Sequence, residues 1–160
     1  ERGNAAITTL SHRGSPLLRY YNEDIVSLRP SDCRCGRNGA ILVHYGRARE
    51  RIRFGGVVLD ALDIQDAVYS LDPVPSAWVA EEREDGLLVK LDSHRRDCWK
   101  DCEASRVLAD RLGVPVRAEI AELLDRAGLL RNDPSTKPEY IRKMPPADRF
   151  GGSAGGGETL

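Results

Sequence analysis

Residues 46–66, GRARERIRFGGVVLDALDIQD, decide how the rest of the chain is read. Side chains alternate across a strand, so an extended run from Arg47 puts Arg47, Arg49, Arg51 and Arg53 on one face and Ala48, Glu50, Ile52 and Phe54 on the other. Gly55-Gly56 offers the positive φ that a tight reversal needs, and residues 57–59 can then pair back. Asp60 is placed to cap a helix that carries Ile64, Ala67, Val68 and Leu71 at the i, i+3, i+4, i+7 spacing of one apolar face. The stretch is expected to be a hairpin feeding a helix. Its row of guanidinium groups is either an anion site or a charged edge of the kind that guards sheets against aggregation.

A length of 160 residues suffices for one ordinary domain, or for a small domain with part of another. A formal net charge of -1 argues against an indiscriminate grip on nucleic acid or anionic membrane. No apolar run approaches the roughly 20 residues of a membrane span, and the N-terminus lacks a signal-peptide core. The expectation is a cytoplasmic protein with neither nucleic-acid nor membrane partners. The cysteines fall in two pairs, Cys33/Cys35 and Cys98/Cys102. Without a secretory signal they are expected to be reduced, buried or metal-bound rather than a disulfide scaffold. Glu1-Arg2-Gly3-Asn4 leads straight into the β-rich residues 5–10 with no cap, no Met and no disordered lead-in, as expected of a chain that begins within something longer.

Along the chain, residues 5–10 and 16–21 read as strands with SHRGS between them, and Asn22-Glu23-Asp24 as a polar corner before a strand resumes at 25–28. Asp24 is then at a strand end, where a carboxylate either points into a cleft or accepts backbone N–H bonds in a turn. Residues 29–38 form a loop holding Cys33-Arg34-Cys35-Gly36. Two thiolates one residue apart could share a zinc ion, but structural zinc takes four ligands, and only His12 and His44 are near in sequence. Residues 40–45, AILVHY, read as a short buried strand. Pro73 and Pro75 stop the first helix, residues 76–82 and 86–91 flank a hairpin turn, and a long helix over 93–112 places Cys98, Cys102, Ser105, Ala109 and Leu112 on one face, with both cysteines as core thiols. Gly113 closes it, residues 114–120 are a further strand, 122–127 a helical turn, and the last ten residues, GGSAGGGETL, a flexible tail. The fold class is therefore α+β, a small mixed-sheet domain with two main helices, preceded by a β-rich segment, with the boundary at Tyr45-Gly46.

Three features in order resemble one family. They are the run G-x-P-L-L-R-Y-x-x-x-D-I-V over residues 14–26 with Cys33-Arg34-Cys35-Gly36-Arg37 after it, the hairpin G-R-x-x-E-x-I-x-x-x-G-x-x-L over 46–59, and the lone Lys137 in a polar C-terminal loop. Together they resemble the C-terminal part of the adenylate-forming ligases, the acyl-CoA synthetase superfamily, and within it the phenylacetate-CoA ligase branch. The likeness runs to about residue 143.

The resemblance implies that residues 1–45 are the β-rich end of a large adenylating domain, 46–143 a mobile α+β domain, and 144–160 a tail. Asp24 matches the aspartate that accepts hydrogen bonds from the ribose hydroxyls of ATP and the acyl-adenylate. Arg47 matches the nucleotide-side arginine after the hinge glycine, Gly46. Gly56, in the Gly55-Gly56 turn, matches the glycine lining the tunnel for the acceptor thiol. Lys137 matches the catalytic lysine of the first half-reaction. The chain departs from the family at the hinge, where Arg49 replaces the usual acid and Glu50 is the nearest one. It departs again at Ser135-Thr136-Lys137-Pro138, which lacks the glycine-lysine context and leaves Lys143 as a rival, and at Asn22-Glu23 before Asp24.

The implied activity is an ATP-dependent ligation of a carboxylic acid, an aromatic one in this branch, through an acyl-AMP to coenzyme A or to the phosphopantetheine of a carrier protein. Magnesium accompanies ATP, and zinc at Cys33 and Cys35 stays open. The acyl pocket and phosphate loop belong to a large N-terminal adenylating domain that this sequence lacks, so the chain by itself is expected to be inactive. Two alternatives are a non-catalytic module binding an anion or a metal, and a split subunit completing a ligase in trans.

Overall fold

The computed structural model describes residues 1–11, 14–36, 39–93, 100–124 and 139–144. Three strands come first: β1 (Gly3–Ile7), β2 (Tyr20–Pro30) and β3 (Ala40–Arg47) form an antiparallel sheet in that order. A 3-10 turn, Ala48–Glu50, separates β3 from the hairpin of β4 (Ile52–Phe54) and β5 (Val57–Leu59), and α1 (Ala61–Val68) follows. The remaining elements are β6 (Ala77–Arg83), β7 (Gly86–Asp92), α2 (Asp101–Leu112), β8 (Val116–Ile120) and β9 (Ile141–Arg142). They build a four-stranded sheet of order β8-β7-β6-β9, antiparallel between β6 and β7 and parallel at both edges. This is an α+β arrangement with a mixed sheet and two helices, preceded by a β-rich segment.

The core lies in the second part. Ile64, Ala67, Val68 and Leu71 are all buried, as their spacing requires. They meet Trp78, Ala80, Leu87, Val89 and Leu91 on one face of the sheet and Ala104, Leu108 and Leu112 of α2 in one continuous cluster. Gly113 ends α2 in the left-handed conformation, φ 68°, where glycine has no Cβ to strain. Gly86, at φ 145°, lets β7 pass so close to the Pro115 carbonyl that a Cβ would stand 2.3 Å from its oxygen.

Several expectations need correction. The chain is not extended from Arg47 to Phe54: the 3-10 turn intervenes, with the Arg47 amide donating to Glu50 Oε2. The four arginines therefore share no strand face, because a 3-10 turn advances three residues per turn and breaks the alternation. Residues 16–19 are not strand, and the remainder of the expected 16–21 and 25–28 runs is one strand, Tyr20–Pro30, with Asp24 inside it and not at its end. The first strand is Gly3–Ile7 rather than 5–10. In α2 the inward face is Ala104, Leu108 and Leu112, and Cys102 is exposed, so it is not a core thiol. Residues 121–123 form no helix. Cys98, residues 125–127 of the expected helical turn and the tail lie outside the described residues.

Candidate functional site

Asp24 and Arg47 are far apart in sequence, yet they are direct cross-strand partners in the β2–β3 ladder. Two register irregularities put them there. Between the pairs Ala6↔Tyr21 and Asn4↔Ile25, β2 carries more residues than β1, and between Ile25↔Gly46 and Val26↔His44, β3 carries the extra Tyr45. Such bulges re-aim side chains next to sites. Glu23 absorbs the first one at φ 66°, a left-handed conformation unusual for a residue with a Cβ. Tyr20, Tyr21, Asn22, Glu23, Asp24 and Arg47 line a concavity of about 380 Å³ at the open end of the β2–β3 hairpin.

Asp24 is held from two sides. Asn22 Nδ2 donates to its Oδ2 at 2.6 Å, while Asn22 Oδ1 accepts from the Asp24 backbone N–H at 3.2 Å. His44 Nε2 stands 3.3 Å from Oδ1. The side chain stays 26% exposed, reachable from solvent. A carboxylate has about four lone-pair positions, and the hydrogen bond from Asn22 occupies one of them, leaving enough for two hydroxyl donors. Arg47 lines the same concavity from β3.

Sequence reading missed Asn22 and His44 in this role. Asn22 had a signal, since an Asn two residues before an Asp readily forms such side-chain-to-backbone bonds. His44 had none, because only the bulge places it diagonally across the ladder from Asp24.

The other expected residues are spread out. Gly46 adjoins Arg47 at φ 110°, and a Cβ there would stand 2.7 Å from the Ala61 Cβ. Arg49 is exposed on the 3-10 turn. Gly55 and Gly56 make the β4–β5 turn at φ 53° and 86°, with nothing within 4 Å of either Cβ position. Lys137 lies outside the described residues. Lys143 is exposed and borders a cavity of about 310 Å³ with Asn4, Ala48, Arg51, Arg53 and Glu82. Cys33 and Cys35 are in the loop at the closed end of the hairpin, about 20 Å of strand from Asp24. Their Sγ atoms are 2.7 Å apart, and among the described residues they join no group of three or more potential metal ligands.

A second charged cluster was not anticipated. Asp60, 2% exposed, receives Arg51 Nε at 2.6 Å and Nη2 at 3.1 Å, and Arg2 Nη1 at 2.9 Å. Asp63 Oδ2 accepts the Asp60 backbone N–H at 2.9 Å, closing a capping box at the start of α1. The hydrogen bonds of Asp60 raise the Arg51 pKa further above its already high value, against burial. Arg51 is thus an internal ion-pair partner, not part of an anion-binding row.

No protein-family model and no curated protein matches the chain. Solved structures of 2-hydroxyisobutyryl-CoA ligase do share its fold. In the postadenylation state with R3-HIB-AMP, that ligase matches with a TM-score of 0.71 over 90% of this chain at 19% identity. The chain has the fold of part of that ligase. It spans 32% of the matched ligase chain. The same state with 2-HIB-AMP gives 0.70 at 19% identity, again over 90% of this chain and 32% of the ligase. An open conformation with 2-HIB-AMP and CoA gives 0.51 at 20% identity, over 88% and 32%. No described helix is long and apolar enough to cross a membrane.

Proposed function

We propose that this chain is the C-terminal part of an ATP-dependent carboxylate ligase. The whole enzyme forms an acyl-adenylate and passes the acyl group to a thiol, on coenzyme A or on a carrier protein. The observation that carries this reading is the direct pairing of Asp24 with Arg47 across the ladder, at the mouth of one concavity, in a chain with this fold.

In this reading Asp24, steadied by Asn22 and His44, accepts the two ribose hydroxyls through its remaining lone pairs. Arg47 directs a planar fork at ribose or phosphate oxygens. Magnesium enters with ATP as part of the substrate. Residues 1–45 end the large domain, 46–143 form the mobile unit, and Gly46 with Arg49 is the pivot. The Gly55-Gly56 turn borders the thiol's path when the unit has swung. Lys137 brings a compact cation to the α-phosphate and carboxylate oxygens as charge builds, a contact on the scale of an oxyanion-hole donor, roughly 3–4 kcal/mol. The sequence likeness to the phenylacetate-CoA ligase branch supports an aromatic acid as the substrate and a cytoplasmic setting.

The test joins this chain to a large adenylating domain and measures pyrophosphate release that depends on added carboxylic acid. Release is expected only from the joined protein, and Lys137→Ala should abolish most of it. If the joined protein binds no nucleotide and releases no pyrophosphate with any of a panel of aromatic acids, the reading is wrong.

A further inference from the structure

Arg2 stands where the three-stranded sheet meets the α+β unit and touches both. Its Nη1 donates to Asp60 Oδ2 at 2.9 Å and to Asp63 Oδ2 at 2.6 Å, and its Nη2 to Asp63 Oδ1 at 2.8 Å. Its guanidinium carbon lies 4.0 Å from the centroid of the Tyr45 ring, within cation–π range. Arg2 immediately precedes β1 and Tyr45 belongs to β3, while both acids belong to the capping turn of α1. The cation and its aromatic shelf are therefore on one side of the junction and the anions on the other.

We propose that Arg2 is a positioning residue, a latch that holds the α+β unit against the sheet in the arrangement suited to adenylation and lets go when the unit swings. The proposal rests on the ligase reading for what the swing accomplishes. The contacts have the two properties a latch needs. It closes firmly, through three charge-assisted hydrogen bonds, two of them a fork on one carboxylate. It also opens without stranding a charge. Asp60 is buried, and a buried carboxylate deprived of every partner is strongly unfavourable. Arg51 supplies Asp60 with two further bonds from within the same unit, between the 3-10 turn and β4, and stays with it when Arg2 leaves. Asp63 is partly exposed and can turn to water.

The pivot lies beside the latch. Gly46 follows Tyr45 directly and is packed so closely on Ala61 that this arrangement admits no side chain there.

Two measurements separate the latch from the ligase reading. In the 160-residue chain with its cysteines replaced by serine, Leu28→Cys and Asp110→Cys carry a spin-label pair. One dominant distance is expected with Arg2 in place, a broadened or divided distribution with Arg2→Ala, and an intermediate one with Arg2→Lys, which keeps the charge and loses the fork. Asp63→Asn should broaden it as well. A distribution unchanged by Arg2→Ala overturns the latch, whether or not the protein is a ligase. In the ligase carrying this chain, Arg2→Ala should slow acyl-adenylate formation about tenfold to a hundredfold, as misplacement of a catalytic unit does, and leave thioester formation from supplied acyl-adenylate within about twofold. Equal loss of both half-reactions marks a merely structural residue and also overturns it. A wild-type enzyme that forms no adenylate defeats the ligase reading, and the distance measurement still judges the latch.

Discussion

Leu28 faces Leu42 across the β2–β3 ladder, and Trp78 faces Leu91 across β6–β7. The pairings are chemically alike, yet Leu28 and Leu42 are 66% and 57% exposed, while Trp78 and Leu91 are buried. The difference is a second layer. A sheet buries an apolar face only against another element, and α1 and α2 cover the second sheet whereas nothing among the described residues covers that face of the first. In the three-stranded sheet Ile25 is the one strand residue classed as buried. The α+β unit is held by its own core, and the sheet is joined to it through polar contacts such as those of Arg2.

The strongest way to break this contrast is truncation on both sides of it. Leu108→Ala should cost about 2–5 kcal/mol in urea denaturation, the range for a buried leucine, whereas Leu42→Ala should stay within about 0.5 kcal/mol. Similar losses would show that Leu42 is packed. A ligand-side comparison comes next. Asp24→Asn should weaken AMP binding by about 1.5–3 kcal/mol, the worth of hydrogen bonds to a charged group, read by calorimetry on the joined protein. Its unfolding midpoint should hardly move.

Glycines on either side of the same hairpin sharpen the comparison further. Gly46→Ala should destabilise by about 1–3 kcal/mol through its left-handed backbone and the Ala61 contact. Gly39→Ala, with nothing near its Cβ position and no positive φ, should cost nothing measurable or stabilise slightly. Thermal unfolding of the two variants decides it.

Acid should act at the charged clusters. Burial by itself pushes the Asp63 carboxyl up, but the Arg2 hydrogen bonds, the Asp60 backbone N–H and the charges of Arg2 and Arg51 outweigh it and hold the pKa low. Burial of Glu81 is likewise outweighed, by the hydrogen bond from Lys90 and the charges of Lys90, Arg83 and Arg142. A lowered folded pKa gives stability that is complete above the unfolded value, about 4 for either acid, and is lost as pH falls through the folded one. The denaturation midpoint should be flat from neutrality to about pH 5 and drop below about pH 4, less steeply in Asp63→Asn. The smallest effect is expected at the loop thiols. Cys33→Ser with Cys35→Ser should change stability by less than about 0.5 kcal/mol, and a larger fall, with metal in the wild type, would support zinc at these thiols.

Periodicity made α1 legible because an eight-residue helix exposes its buried face in the spacing of Ile64, Ala67 and Val68. The β6–β7 hairpin was legible from its turn, Glu84-Asp85-Gly86. Periodicity failed at residues 47–51, where alternation predicted a strand, because the buried Asp60 draws Arg51 inward and Glu50 closes a turn onto the Arg47 amide. It also missed Ile141 and Arg142, since a strand of two residues has no pattern to read.

The α1 face, the Gly113 stop, the β6–β7 hairpin and the likeness that singled out Asp24 and Arg47 are properties of neighbouring residues, and the sequence by itself determined them. The Asp24–Arg47 pairing, the supporting His44 and the Arg2–Asp60–Arg51 cluster were decided only by tertiary structure. They depend on strand register and on where a buried carboxylate finds its counter-charges, and both are settled between segments distant in the chain.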